Sequence, residues 1–348
     1  MAASENYHTV IVGAGPGGLA CARLLAQHGL AVLVIERQRQ VGPKVCAGGI
    51  TSAGLHKLLP AELIEKSFAD QYIRSNWQNT RISAPAPIIS TINREKLGQW
   101  MLGQVVAAGA VVKTGTVVRA ISDRYVSTRD LTGGEQRYGY EYLVGADGST
   151  SLVRRYLQIG TSRLGIGIQY QVPGNFDKME WHLNAGLFKN GYAWIFPHRD
   201  RASVGIYGDR RQATAGEMLK NLQHWARRHH IDLRGLQPRA ALINFDYRGW
   251  RFGNKMLVGD AAGLTSGLTG EGIYPALVSG EAAARTIISP AAATTPEAAL
   301  DRLIRKQQKH QRVLRISGKN NLSNKIIMEM LILALRTKLL SFRVLEMA

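Results

Sequence analysis

The segment from Val10 to Glu36, VIVGAGPGGLACARLLAQHGLAVLVIE, constrains the fold more than any other part of this 348-residue chain. It reads as a strand, a glycine turn, a helix and a second strand that ends on an acid. Gly13 permits the tight turn, Gly15 lets the backbone approach a pyrophosphate, and Gly18 lets the helix pack closely on the sheet. The free N–H groups and positive dipole end of a helix starting near Pro16 suit phosphate. Glu36 stands where a carboxylate accepts bonds from the adenosine ribose hydroxyls, which fits an unphosphorylated ribose, as in FAD or NAD. Glycine turns between strand and helix also arise for packing alone, so the dinucleotide reading leans on the βαβ context and Glu36 together.

Two later segments, GADGSTSLVRR (Gly145 to Arg155) and MLVGDAAGLTSGLTGEG (Met256 to Gly272), choose between dinucleotides. They resemble the second and third signatures of the FAD-dependent family that includes para-hydroxybenzoate hydroxylase. The resemblance implies that Asp260 holds the ribityl chain and that the turn carrying Gly267, Gly270 and Gly272, with the helix start at Ile273, lies against the flavin ring. It places Asp147 and Arg154 in a structural, pyrophosphate-side network. Arg37, Cys46 and Ala47 are further candidates for contact with the cofactor. Arg94, in INREKLGQWM, matches the family's phosphate-side arginine, although Gly98 stands where an aspartate is common.

At 45% hydrophobic residues the chain can bury a large core and is longer than one typical domain. The expected class is α/β: a discontinuous Rossmann-like FAD-binding domain (1–159 and 248–290), an inserted α+β antiparallel-sheet substrate domain (160–247), and a C-terminal helical region (291–348). Helices are expected over Thr91 to Gly109 and Gly216 to His230, with short alternating strands from Val111 to Val144 around a Gly133-Gly134 turn. LGIGIQYQV, MEWHLNAGLF, GYAWIFPHR and RASVGIYG read as antiparallel strands. Ser289 to Pro296 reads as a small-residue linker.

With two cysteines, Cys21 and Cys46, neither a disulfide scaffold nor a structural zinc site is expected. His229 and His230 are adjacent, point to different sides of a helix and make a poor metal pair, so no metal is expected. The first strand begins with no basic stretch and apolar run before it, which argues against secretion and for a cytoplasmic protein. The net charge of +19 admits nucleic acid, anionic lipid or an acidic protein as partner, and no nucleic-acid motif accompanies it. Arg305, Lys306, Lys309, Arg312, Arg315 and Lys319 recur at helical spacings. The following NKIIMEMLILALRTKLLSFRVL is apolar around most of its circumference but carries Glu329, Arg336 and Lys338. It is too interrupted for a span of ~20 apolar residues. Such a helix either rests on an anionic membrane surface, peripherally on its inner face, or packs on the protein with its charges solvated.

Lys44-Val45-Cys46-Ala47-Gly48-Gly49-Ile50, Tyr192-Ala193-Trp194-Ile195-Phe196-Pro197 and LTGEGIYPAL (Leu268 to Leu277) together resemble the geranylgeranyl reductase family, over positions from about 8 to 285. Its members saturate isoprenoid double bonds in chlorophyll side chains, archaeal lipids or quinone tails. The resemblance implies a lysine, a cysteine and paired glycines beside the flavin, and a YxWxFP stretch along the lipid channel. Tyr192, Trp194, Phe196, Pro197 and Tyr274 are then the candidate substrate pocket, and Cys46 the candidate catalytic residue. A thiol there can equally be inert packing. Two departures stand out: Lys189 replaces a frequent proline, and Ala47 a frequent glycine. The expected reaction is hydride transfer from reduced FAD to an isoprenoid alkene, with NAD(P)H or reduced ferredoxin as donor, since a basic surface suits an acidic carrier. The alternatives are an FAD-dependent aromatic hydroxylase and a flavoprotein that only transfers electrons. A halogenase is disfavoured by the lack of a WxWxIP stretch, and a quinone oxidoreductase by the shortage of cysteines for an iron–sulfur cluster.

Overall fold

The computed structural model describes residues 5–51, 59–290, 298–317 and 321–337. Val10, Ile11, Leu33, Val34, Leu143 and Val144 are all fully buried. Strands so continuously apolar need cover on both faces, which is the habit of a parallel sheet. Accordingly Glu5–Val12 pairs in parallel with Glu135–Gly145 on one side and Val32–Ile35 on the other. Lys255–Leu257 and Val111–Lys113 extend the parallel sheet at its two ends. Two antiparallel strands, Thr116–Ile121 and Tyr125–Asp130, lead into Glu135–Gly145 as expected from the alternation there.

Helix Pro16–Gln27 buries Leu19, Cys21, Ala22 and Leu25 against this sheet. It crosses helix Ile273–Ile288 so closely that a Cβ on Gly280 would lie 2.1 Å from the Gly17 carbonyl oxygen. Only glycine fits that crossing. The expected Thr91–Gly109 helix starts later, at Arg94, and ends at Ala107. Thr91 belongs to strand Ile89–Ile92, and Asn93 stops the strand by accepting the N–H groups of Glu95 and Lys96.

The second sheet has seven strands, in the order Arg239–Asn244, Leu164–Pro173, Arg201–Asp209, Tyr192–Pro197, Glu180–His182, Asp70–Arg74 and Asn79–Ser83. The last two come from the chain before the Asp147 segment, so the sheet reaches beyond the 160–247 stretch in which antiparallel strands were expected. Helix Ala215–Arg228 covers one face. It is set by a capping box between Thr214 and Glu217 and buries Met218, Leu222, Trp225 and Ala226. The expected helix ran to His230, but His229 already ends it and His230 has φ +56°. A small third sheet joins Gly49–Thr51, Ile89–Ile92 and Ile64–Phe68 between the two large ones.

Helix Ala298–Ser317 packs through Leu300, Leu303, Gln307, His310 and Leu314, leaving Arg305, Lys309, Arg312 and Arg315 outside. Gln307 and Gln311 both bond the Phe245 carbonyl, which ties the helix to the end of the second sheet. Helix Asn321–Arg336 then lies across the far end of that sheet, against strand Asn79–Ser83 and helix Ala185–Phe188. Lys319, Lys338, Arg343 and most of the expected Ser289–Pro296 linker lie outside the described residues. Among the described residues, no helix is long and apolar enough to cross a membrane, and no group of three or more His, Cys, Asp or Glu could hold a metal.

Candidate active site

One continuous cavity of ≈ 280 Å³ is lined by strands of the second sheet and of the small third sheet and by the loops that follow the parallel strands. At one end lies the glycine turn. Gly13 has φ +104°, and a Cβ there would sit 2.4 Å from the Ala146 carbonyl oxygen. A Cβ on Gly18 would lie 2.1 Å from the Gly13 oxygen. Gly15 differs: its Cβ would find no protein atom nearer than 3.8 Å, because this residue lines the cavity. Gly13 and Gly18 are therefore glycine for packing, and Gly15 for access. The helix beginning at Pro16 has no side-chain cap, and its first residues, Pro16 and Gly17, line the cavity beside Gly15.

Arg94 lines the same end, and its Nε and Nη1 are buried with no hydrogen-bond partner. Buried unpaired guanidinium donors are costly, and an anionic ligand beside the glycine turn would satisfy them. Gly98, the departure noted in the sequence, has a steric reason: a Cβ there would lie 2.2 Å from Gly42 Cα. No aspartate fits. Glu36 accepts the Ala14 N–H at 2.7 Å and the Gln38 N–H at 2.9 Å, so its carboxylate closes the turn at the tip of the second strand. Arg37 is exposed and off the cavity wall.

Asp260 lines the middle of the cavity. One oxygen accepts from Lys44 Nζ at 3.3 Å and Ser149 Oγ at 3.0 Å, and the other from Thr265 Oγ1. Cys46, Ala47, Gly270, Gly272 and Ile273 are also on the wall. Cys46 Sγ accepts the Gly48 N–H at 3.4 Å. Cys21, by contrast, is fully buried, and burial pushes its thiol pKa up.

Five further sequence candidates face elsewhere. Arg154 is 2% exposed and donates to the carbonyls of Ala261, Gly160 and Asp246, so it is an internal strut rather than a group on the pyrophosphate side. Gly267 packs on Phe245 and Leu314 and offers its carbonyl to Tyr207 Oη at 2.8 Å. Pro197 falls on the opposite pleat from Tyr192, Trp194 and Phe196, as the two-residue period of a strand requires. Its carbonyl accepts from Thr91 Oγ1. Tyr274 is one helical position past Ile273 and turns away from the cavity, where burial and Glu271 push its phenol pKa up. Asp147 accepts the N–H groups of Leu152 and Val153, a helix-capping role, and burial pushes its carboxyl pKa up.

The other end of the cavity is aromatic. Trp181 stacks edge-on to Phe196 at 4.8 Å between centroids and tilts over Tyr192 at 5.1 Å. Tyr192 in turn lies 5.6 Å from Tyr207 and 6.1 Å from Trp194. Each polar tip is satisfied by protein: Tyr192 Oη donates to the Thr269 carbonyl at 2.5 Å, Trp194 Nε1 to Ser203 Oγ at 3.0 Å, and Trp181 Nε1 to Gln71 Oε1 at 3.0 Å. The rings thus present hydrocarbon to the cavity while Tyr192 and Tyr207 strap the wall to the Ser266–Gly272 turn. Burial pushes both tyrosine pKa values up.

These features fit a flavin dinucleotide bound with its phosphates at the glycine turn, in a fold shared with proteins of known class. A family model described as an FAD binding domain matches residues 6–314. The chain belongs to this family. It is an FAD-dependent oxidoreductase homologous to geranylgeranyl reductases. An uncharacterized protein of Methanosarcina barkeri is 30% identical over 303 residues, spanning 83% of this chain and 76% of its own. The chloroplastic geranylgeranyl diphosphate reductase of Oryza sativa subsp. japonica is 28% identical, over 84% of this chain and 68% of its own. A solved geranylgeranyl bacteriochlorophyll reductase-like protein of Thermoplasma acidophilum superposes with a TM-score of 0.75 at 21% identity, covering 91% of this chain and 93% of that one.

Several wall residues of the oxidoreductase were not singled out in its sequence. Trp181 sits in MEWHLNAGLF, where its alternation was visible but its partner strand was not. Glu271 lines the cavity and pairs with Lys306 at 3.2 Å, a lysine that had read as part of a solvated stripe. Met328, Leu331, Ile332 and Leu335 form the inner stripe of helix Asn321–Arg336 and roof the aromatic end. Their i, i+3, i+4, i+7 spacing was legible, but the opposite stripe is equally apolar. At Lys189 the backbone has φ +55°, which a proline ring, locked near −65°, cannot adopt. The loop before YxWxFP therefore follows its own path, and Asn324 of the roof helix donates to the Lys189 carbonyl.

Proposed function

We propose that this oxidoreductase saturates carbon–carbon double bonds of an isoprenoid chain, borne by a lipid, quinone or related molecule, that lies along the aromatic end of the cavity. The observation that carries the reading is the wall of Trp181, Tyr192, Trp194 and Phe196. Its polar tips are turned into protein and its faces left to hydrocarbon, on the same cavity as Gly15, Arg94 and Asp260. An unfunctionalised alkene offers no polar handle, so shape must align it.

Gly15, the Pro16 helix start and Arg94 would hold the FAD phosphates, Asp260 the ribityl hydroxyls, and the Gly270–Ile273 turn would border the ring. When bound, FAD supplies hydride chemistry. The straps from Tyr192 to Thr269 and from Tyr207 to Gly267 fix the substrate wall against that turn, and the roof helix excludes water from the alkene. Cys46 faces the cavity at the seam between the two ends, where a thiol can hold or pass a proton.

Two companions of the reaction follow from the surface. The basic surface suits an acidic carrier such as reduced ferredoxin, with NAD(P)H docking over the flavin as the other donor. The outer stripe of the roof helix, Leu322, Ile326, Met330 and Leu333, is 45–65% exposed beside Trp77 at 63%. Lys325 Nζ sits 4.0 Å above the Trp77 ring. An anionic membrane face matches that combination and would keep a lipid substrate near the roof.

The test is anaerobic reduction of the flavin-loaded protein, incubation with a geranylgeranyl lipid or quinone, and mass spectrometry of the product. A gain of two mass units per bond is expected. No gain, together with oxygen uptake stimulated by a phenol in air, would assign an aromatic hydroxylase instead.

A further inference from the structure

His198 follows the YxWxFP strand directly and is 4% exposed. Both of its ring nitrogens face acceptors: Nδ1 meets the Glu65 carboxylate, and Nε2 lies 3.0 Å from the carbonyl oxygen of Ala47. A neutral imidazole has one N–H and can serve one of them; an imidazolium serves both. The same ring is the reason for a glycine in the Cys46 loop. A Cβ on Gly48 would lie 2.7 Å from His198 Cε1, and one on Gly49 2.7 Å from Phe196 Cε2. The paired glycines and the aromatic strand are one interlocked unit.

We propose that Glu65 and His198 form a buried carboxylate–imidazolium pair that clamps the Ala47 carbonyl and so holds Cys46 in place on the cavity wall. His198 acts through the loop and is a positioning residue. The clamp's effect on turnover rests on the reductase reading, whereas its effect on the loop does not.

The surroundings favour the charged form. Arg201 Nη2 stands 3.9 Å from the second Glu65 oxygen, and His198 holds the Glu65 carboxyl below the usual range. Asp200 is turned to Arg201 at 2.7 Å, and Lys66, on the Glu65 strand, is bonded to Asn175 and the Phe176 carbonyl. Strand Ile89–Ile92 brings no ionisable group to the pair, and the loop carries Cys46 and Lys44, the latter turned to Asp260 at 3.3 Å. Loss of the imidazolium proton would leave one buried acceptor without a donor, and the loop would open locally.

The experiment uses the full flavin-loaded chain. In protein labelled with nitrogen-15 histidine, with His198→Gln to assign the signal, both His198 nitrogens are expected to show imidazolium shifts at pH 7. A neutral tautomer there would overturn the proposal. Iodoacetamide labelling then follows Cys46, the other cysteine being buried. In Glu65→Gln, which keeps the shape but removes the counter-charge, His198 should lose its imidazolium signature and Cys46 should be labelled about tenfold faster than in the wild type. Labelling at the wild-type rate, or faster labelling with the imidazolium signature retained, would mean ordinary packing and would refute the clamp. If labelling and nitrogen shifts behave as stated but no alkene is reduced, the reductase reading falls and the clamp stands.

Discussion

The two ends of the cavity are built by opposite means. The glycine turn offers backbone N–H groups, a helix start and the unpaired donors of Arg94, which suit charge with almost no side-chain bulk. The aromatic end offers ring faces whose polar atoms are already used, which suit shape with almost no charge. Damage to the first end should therefore release cofactor, and damage to the second should spoil substrate fit or stability while the flavin stays bound.

The comparison breaks most sharply within the glycine turn itself. Gly13→Ala forces φ +104° on a residue with a Cβ 2.4 Å from Ala146 O, and should cost at least ~3 kcal/mol together with the flavin. Gly15→Ala meets nothing closer than 3.8 Å, so its flavin-free melting temperature should match the wild type while FAD affinity falls by at least about tenfold. Calorimetry and flavin stoichiometry on the two proteins separate packing from access. At the other end, Trp194→Ala should cost ~3–5 kcal/mol in denaturant unfolding, yet leave bound flavin near one per chain.

The packing behind the Ser266–Gly272 turn should respond to acid. His310 is buried against Ser266 of the flavin-side turn at 2.8 Å, and burial, with Lys306 and Lys309, pushes its pKa down to about 4. Its folded pKa lies below its unfolded value near 6.5, so the unfolded chain binds the extra proton between those limits. Stability contributed there is complete above pH ~6.5 and is lost as pH falls toward ~4, by at most about 3 kcal/mol. His310→Gln should flatten that part of the stability profile relative to wild type. An unchanged slope would mean that His310 binds its proton equally in the folded and unfolded chains. Arg94→Gln comes next: FAD should bind about 10–100-fold more weakly, the worth of a charged hydrogen bond, without loss of flavin-free stability.

How much of this was legible in the sequence follows the same division. The glycine turn and the parallel sheet were readable because local backbone geometry dictates them: a tight turn at φ +104° requires glycine, and strands buried on both faces must be continuously apolar. Glu36 and Asp260 were named from a motif and a resemblance, and of the two only Asp260 lines the cavity. Trp194 and Phe196 line the cavity and Pro197 does not; it was named with them because the motif was taken whole rather than by its two-residue period. Trp181, Glu271 and the roof helix were hidden because their role depends on contacts far along the chain. Strand Glu180–His182 pairs with Asp70–Arg74, and Glu329 of the roof is held by Ser75 and Gln78. No local pattern announces such partners. Lys306 shows the same limit, since among the described residues of the basic stripe its neighbours are exposed and it alone turns inward, to Glu271.

The smallest expected effect sharpens the aromatic end most. Helix Asn321–Arg336 has two apolar stripes, and sequence alone could not say which one faces in. Leu331 is on the inner one, against the aromatic wall, and Leu333, 48% exposed, is on the outer. Leu331→Trp should shorten the cavity, so that a twenty-carbon isoprenoid loses about tenfold in kcat/KM, roughly 1.4 kcal/mol, relative to a ten-carbon one. Leu333→Trp adds the same bulk outside and should leave that ratio unchanged. If both variants shift chain-length preference equally, the roof is not a wall of the substrate site. If only Leu331→Trp does, shape at this helix sets how long an isoprenoid the enzyme accepts, independently of everything that binds the dinucleotide.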